Sequence, residues 1–192
     1  MTVNTIIGLG NPGQTYHDTR HNVGFMVIEL LAKRHSVPIN QQMADLATGR
    51  PACVYGEYRD GTQTARLLMP LTMMNESGDA LRAIQNPAAE VLVVCDDVNL
   101  PLGAVRLRPQ GSAGGHHGLQ SCLEALGTEQ VARLRIGVGV TPLSRDLTDF
   151  VLSPFHSDER PLVKTALEQA ADACELWVRE GIDVAMNHYN RT

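Results

Sequence analysis

Apolar residues at Val23, Met26, Val27, Leu30 and Leu31 fall at i, i+3, i+4, i+7 and i+8, which predicts a helix with one buried face. Leu119, Cys122, Leu123 and Leu126 repeat that spacing, with Gly127 as a stop. A longer helix is predicted through Val163, Ala166, Leu167, Ala170, Cys174, Trp177 and Val178, ended by Gly181. Ser157 is its candidate N-cap, and Asp158 and Glu159 suit the positive end of its dipole. Other stretches follow a different rule. "VLVVC", Val91 to Cys95, is a continuous apolar run, as expected of a central strand covered on both faces. "VRLRP" and "RLRIGVGV" alternate, placing Arg106, Arg108, Arg133 and Arg135 on one side of their strands. "TARLLMP" is a further strand, closed by Pro70. Strands interleave with helices along the chain, so the pattern predicts a three-layer α/β/α architecture around a mixed, mostly parallel central sheet.

The first strand raises a specific question. "TIIGLGNPG" runs from β-branched residues into Gly8, Gly10 and Gly13, spaced as G-x-G-x-x-G. That spacing signals a dinucleotide site only where it opens a helix inside a short βαβ unit, with an acidic residue about 20 positions on. Here Pro12 occupies the turn and the polar "QTYHDTRHN" follows. Helical periodicity resumes only at Val23, so the fingerprint reads as a strand followed by a tight turn.

At 192 residues, residues 1–192 are expected to form one domain with a substantial core. Hydrophobic residues make up 43% and charged ones 19%, a composition that excludes a disordered chain. Neither a secretory leader nor a membrane-length apolar run is visible, which points to a cytoplasmic protein. Cys53, Cys95, Cys122 and Cys174 lie far apart without a C-x-x-C pair, as expected of reduced thiols. A net charge of −5 argues against general nucleic-acid coating but leaves room for a local basic patch. The Pro and Ser of "VTPLSRD" (140–146) and "SPFHSDERP" (153–161) mark loops.

Five polar clusters sit at turns: Asn11, "TRHN" (19–22), "MMNESG" (73–78), "CDDVNLP" (95–101) and "GSAGGHHGL" (111–119). Each has an ordinary reading by itself. Asn11 suits a turn before Pro-Gly, and Asn75 suits a helix cap. Together they suggest acid–base hydrolysis. His21 lies in a polar turn backed by an apolar helix, and Asp96 follows a buried strand, where a carboxylate can orient an imidazole and stabilise its protonated form. No G-x-S-x-G is present, and Cys95 at the end of an apolar strand reads as core, so water activated by His21 needs neither nucleophile. The four-residue spacing of His17 and His21 and the adjacent His116 and His117 raise metal binding, but the H-E-x-x-H pattern is missing. No metal and no cofactor are expected.

"GLGNPG", "TRHNVG", "MNESG", "DDVNLPLG" and "GSAGGHHGL" resemble, in order and spacing, the signature segments of the bacterial-type peptidyl-tRNA hydrolases, over Ile6 to Val140. The resemblance implies a cytosolic, monomeric esterase that separates peptide from the 3′ ribose of tRNA, without an obligate protein partner. It implies that His21 is the base and Asp96 its carboxylate, and that Asn11 and Asn75 hold the peptide and the attacking water. Tyr16, Asn22, Met74, His116 and His117 would face the substrate, and Arg108 and Arg135 would clamp the 5′ phosphate of the acceptor stem. A solvated strand face is the alternative reading of those arginines. The chain departs from the family pattern where Gly-His-Asn-Gly becomes Gly115-His116-His117-Gly118, where Gln120 replaces a basic residue, and where Met73 replaces an aromatic. A non-hydrolytic RNA-binding relative is the alternative function, and retention of His21, Asp96, Asn11 and Asn75 favours the enzyme.

Overall fold

The computed structural model describes residues 3–84, 90–139 and 146–190. Seven strands form one sheet: β1 (Val3–Gly8), β2 (Gln41–Ala44), β3 (Pro51–Asp60), β4 (Gln63–Pro70), β5 (Val91–Asp97), β6 (Val105–Arg108) and β7 (Ala132–Gly137). Their order is β2-β3-β4-β1-β5-β7-β6. The four central strands, β4, β1, β5 and β7, run parallel, and the outer pairings β2–β3, β3–β4 and β6–β7 are antiparallel. The continuous apolar run of β5 follows from this placement. Leu92 and Val94 enter one core cluster while Val93 and Cys95 enter the other, and Ile6 and Ile7 of β1 divide the same way. A strand that buries both faces has no polar side to show, so its sequence does not alternate.

Helices cover both faces. The first cluster packs α1 (Val23–Arg34) and α5 (Arg160–Glu180) on one side of the sheet, and the second packs α2 (Gly78–Arg82) and α3 (His117–Leu126) on the other. α4 (Leu147–Val151) contributes Phe150 and Val151 to the first cluster, and α6 (Ile182–Tyr189) contributes Ala185. The α3 stop is as expected, with Gly127 in the left-handed conformation at φ 66. The α5 start differs from the sequence reading. Glu159, not Ser157, holds the cap position, and the first turn begins at Arg160-Pro161. Pro161 tolerates a first turn because its missing N–H would have no helical partner there.

The expected loop "SPFHSDERP" runs from a bridge between Thr19 and Pro154 into α5, while most of "VTPLSRD" lies outside the described residues. The β3–β4 hairpin, joined through Gly61-Thr62 with Asp60 opposite Gln63, was not anticipated. The free edge of β6 is closed by one side chain: Asn190 accepts from Leu107 N (2.9 Å) and donates to Leu107 O (3.0 Å), standing in for a strand. All four cysteines are buried and free.

The glycines of "GLGNPG" explain the apparent nucleotide fingerprint. A Cβ on Gly8 would lie 2.3 Å from Gly24 O, and one on Gly24 would lie 2.4 Å from Leu9 N. Their role is to let α1 press its backbone onto β1. After Gly13 (φ 108) the chain makes two short 3-10 turns, Gln14–Tyr16 and Arg20–Asn22, and the helix waits until Val23.

Candidate active site

The candidate residues gather where the parallel strands end, the position α/β sheets leave open for ligands. β1 leads into Asn11, β4 into Met74 and Asn75, and Asp96 belongs to the last two residues of β5. A 3-10 turn over Arg20–Asn22 presents His21 at the head of α1, and the N-terminus of α3 brings in His116 and His117. Five segments distant in sequence therefore meet at one end of the sheet.

His21 Nδ1 lies 2.8 Å from Asp96 Oδ1, and His116 Nε2 lies 3.0 Å from the same oxygen. The protons follow from the partners. His116 Nδ1 accepts from Leu119 N (3.2 Å), so its proton sits on Nε2 and is donated to Asp96. His21 likewise donates its Nδ1 proton, which leaves the Nε2 lone pair as a base. The side chains of His21 and His116 are 13% and 11% exposed against 3% for Asp96, so the imidazoles are reachable and the carboxylate is not. Burial alone would raise the Asp96 carboxyl, but His116 and His21 overcome burial and hold it below the ordinary carboxylate range. Burial pulls the His116 imidazole down, and Asp96 outweighs that and raises it. The Leu119 N–H opposes the rise, because a protonated Nδ1 has no lone pair to accept it.

His21, Asp96 and His116 also offer three ligand atoms within 4.8 Å of one another. A cation there would need the lone pair of His116 Nε2, and that tautomer would set Nδ1–H against Leu119 N–H. The donor set fits shared protons better than a metal.

The asparagines divide their work. Asn22, expected to face the substrate, is buried and spends its whole amide on Asn11, accepting from Asn11 N and donating to Asn11 O at 2.9 Å each. Asn11 Oδ1 accepts from Met74 N (2.7 Å), and its Nδ2 has no partner among the described residues. Two side chains thus lock three turns together and leave one donor free. Asn75 is exposed beside them. Met74 is buried against α3, where a Cβ on Gly118 would meet Met74 Sδ at 2.3 Å, and Gly78 N donates to Ser121 Oγ. Tyr16 is half-buried, and His117 is exposed as the first residue of α3.

The arginines separate. Arg106 is opposite Arg135 and Arg108 opposite Arg133, so all four share a face of the β6–β7 pair. Arg133 is not solvated: it is buried and donates to the carbonyls of Val131, Ser112 and Glu129. Arg135 Nη1 donates to Asp97 Oδ2 (2.7 Å), while Arg108 is exposed. Cys95 belongs to the core, where burial pushes its thiol well above the ordinary range and removes it as a nucleophile.

Sequence reading missed the pairing of buried Arg20 with Glu159 and the contact of Ser121 with Gly78 N. Their signals were a charged residue inside an otherwise used motif and polar residues that carry no periodicity.

The model of the family described as Peptidyl-tRNA hydrolase matches residues 5–192. Peptidyl-tRNA hydrolase from Syntrophomonas wolfei subsp. wolfei is 44% identical over 189 residues, covering 96% of this chain and 98% of that protein. That from Salinibacter ruber is 44% identical over 188 residues, covering 96% of both. The crystal structure of peptidyl-tRNA hydrolase from Acinetobacter baumannii superposes with a TM-score of 0.84 at 30% identity, over 98% of this chain and 95% of that one. With fold, segment order and near full-length identity in agreement, the chain belongs to the peptidyl-tRNA hydrolase family.

Proposed function

We propose that the protein hydrolyses the ester joining peptide to tRNA, with His21 as the base for water. The observation that carries this reading is the 2.8 Å contact from His21 Nδ1 to a buried carboxylate, which frees Nε2 on an accessible ring. Water gives a proton to Nε2 as its oxygen bonds to the ester carbonyl carbon. The bond to the ribose oxygen then breaks, and the Nε2 proton passes to that leaving oxygen. Asp96 stabilises the imidazolium between the two steps. The free Nδ2 of Asn11 and the exposed amide of Asn75 are suited to the peptide backbone and the water, with Tyr16, Met74, His116 and His117 around them. Arg108 and Arg135 supply positive charge for the acceptor stem, on a protein whose net charge is −5. Few phosphate contacts on an acidic protein give salt-sensitive affinity. The enzyme acts as a cytoplasmic monomer in this reading. Among the described residues no helix is long and apolar enough to cross a membrane.

Release of a labelled, N-blocked amino acid from tRNA tests the proposal. His21→Ala should lower kcat by about 10²–10⁴-fold, the usual contribution of a general base, and keep tRNA binding. Asp96→Asn should cost less, since it weakens orientation and keeps the base. A purified wild type that binds tRNA without releasing the label would favour the RNA-binding alternative.

A further inference from the structure

Arg20 is among the largest fully buried side chains of the molecule, and it immediately precedes His21. Its guanidinium grips Glu159 with both ends, Nη1 to Oε1 at 3.1 Å and Nη2 to Oε2 at 2.7 Å, and Nη1 also donates to Val138 O at 2.7 Å. Its guanidinium lies over the rings of Phe150 and Phe155, with centroids 4.6 and 4.8 Å from Cζ. The backbone is fastened at the same place: Arg20 N donates to Ser153 O, and Thr19 bridges Pro154. Glu159 is fixed in turn by His156 N.

Burying a cation is costly, and a buried ion pair adds little net stability compared with apolar side chains of similar volume. The arrangement does supply direction. A 3-10 turn of three residues has few internal bonds with which to orient His21, whereas Arg20 ties that turn to the end of β7, to α4 and to the cap of α5.

We propose that Arg20 and Glu159 are positioning residues of the reaction, holding the His21 turn so that Nδ1 meets Asp96 and Nε2 faces the ester. The inference rests on His21 being the base. Its consequence is a loss of catalysis without a loss of substrate binding.

The test uses Arg20→Met and the double variant Arg20→Met with Glu159→Gln, which leaves no orphaned buried charge and should therefore fold. Melting temperature and circular dichroism establish folding, and peptidyl-tRNA turnover gives kcat and KM separately. Both variants should lose about tenfold or more in kcat with KM within about twofold, the split expected when only transition-state geometry is lost. Arg20→Lys should fall between them and wild type, because one ammonium cannot grip two carboxylate oxygens and a carbonyl together. A second readout is the proton NMR signal of His21 Nδ1–H, which should shift or broaden as the Asp96 contact loosens. Folded variants with wild-type kcat, or with a raised KM alone, overturn the inference and leave Arg20 a staple of the fold. Unfolding of both methionine variants passes the decision to Arg20→Lys, where a wild-type kcat and an unmoved signal have the same force. His21→Ala run in parallel separates the two ideas: an inactive His21→Ala beside a fully active Arg20 variant rejects only the positioning role, whereas an active His21→Ala rejects the base.

Discussion

One carboxylate oxygen of Asp96 accepts a hydrogen bond from each of two imidazoles, and that sharing sets what each histidine can do. His116 has both nitrogens committed, one to Asp96 and one to Leu119 N, so it is held in a single tautomer and is suited to support rather than to proton transfer. His21 has one nitrogen committed and one open. The neighbouring His117 stands where the resemblance leads one to expect Asn. Its side chain makes no hydrogen bond among the described residues, and it sits exposed at the start of α3. An amide offers a donor and an acceptor on a short side chain, while a neutral imidazole offers one of each on a longer, differently angled ring. His117→Asn is therefore expected to raise kcat. Steady-state turnover from pH 5.5 to 8 checks it, and a kcat unchanged or lowered across that range would mean that the site is built around His117.

Arg108 is exposed at the end of β6, whereas Arg135 is already bound to Asp97 and Arg133 to backbone carbonyls. Arg108→Ala should raise KM more than it lowers kcat, since a phosphate contact serves ground and transition states alike. The effect should shrink at high salt, and kinetics unaltered at low salt would return Arg108 to the role of a solvated face. Gly24→Ala should destabilise the fold by about 1–3 kcal/mol or more, because the new Cβ faces backbone atoms Leu9 N, Leu9 O and Val94 O that cannot step aside. Chemical denaturation would reveal this, and a midpoint equal to that of wild type would show that α1 can lift from β1. Much of the scaffold was legible for the same reason that these predictions are possible: long periodic runs on α1, α3 and α5 and the apolar run of β5 each state which face is buried. What was not legible has physical causes too. β2 and β3 mix exposed and buried positions, so they lack clean alternation, although Asp60-Gly61 marks the turn into β4, which was read correctly as a strand closed by Pro70. α2, α4 and α6 are five to eight residues long, too short for periodicity to show. His21 and Asp96 were identifiable from chemistry and resemblance, while Arg20–Glu159, separated by 139 residues, exists only once the chain is folded.

Across the whole molecule, the buried charges make stability depend on pH in a definite direction. Asp96 is buried, which by itself favours the neutral acid, yet His116 and His21 depress its carboxyl below the ordinary range. Glu159 is opposed by burial in the same way and depressed by Arg20 and by His156 N–H. A carboxyl whose native pKa lies below its unfolded value binds fewer protons when folded. Its stabilisation is complete above the unfolded value, about 3.9 for Asp and 4.3 for Glu, and is lost as pH falls from there towards the native value. His116 is displaced the other way, so its contribution is complete below an unfolded value of about 6.5 and lost as pH rises through the native one. Between about pH 4.5 and 6.5 neither carboxyl is being titrated and His116 has not begun to lose its share, which places the stability maximum on the acid side of neutrality. Thermal melts from pH 3 to 8 should show a plateau there and a steep fall below about pH 4. Arg20→Met with Glu159→Gln should shallow that acid limb, because one of the depressed carboxyls has been replaced by an amide. A melting temperature that stays level down to pH 3 in the wild type, or an acid limb of equal steepness in the double variant, would show that these ion pairs do not govern the acid response.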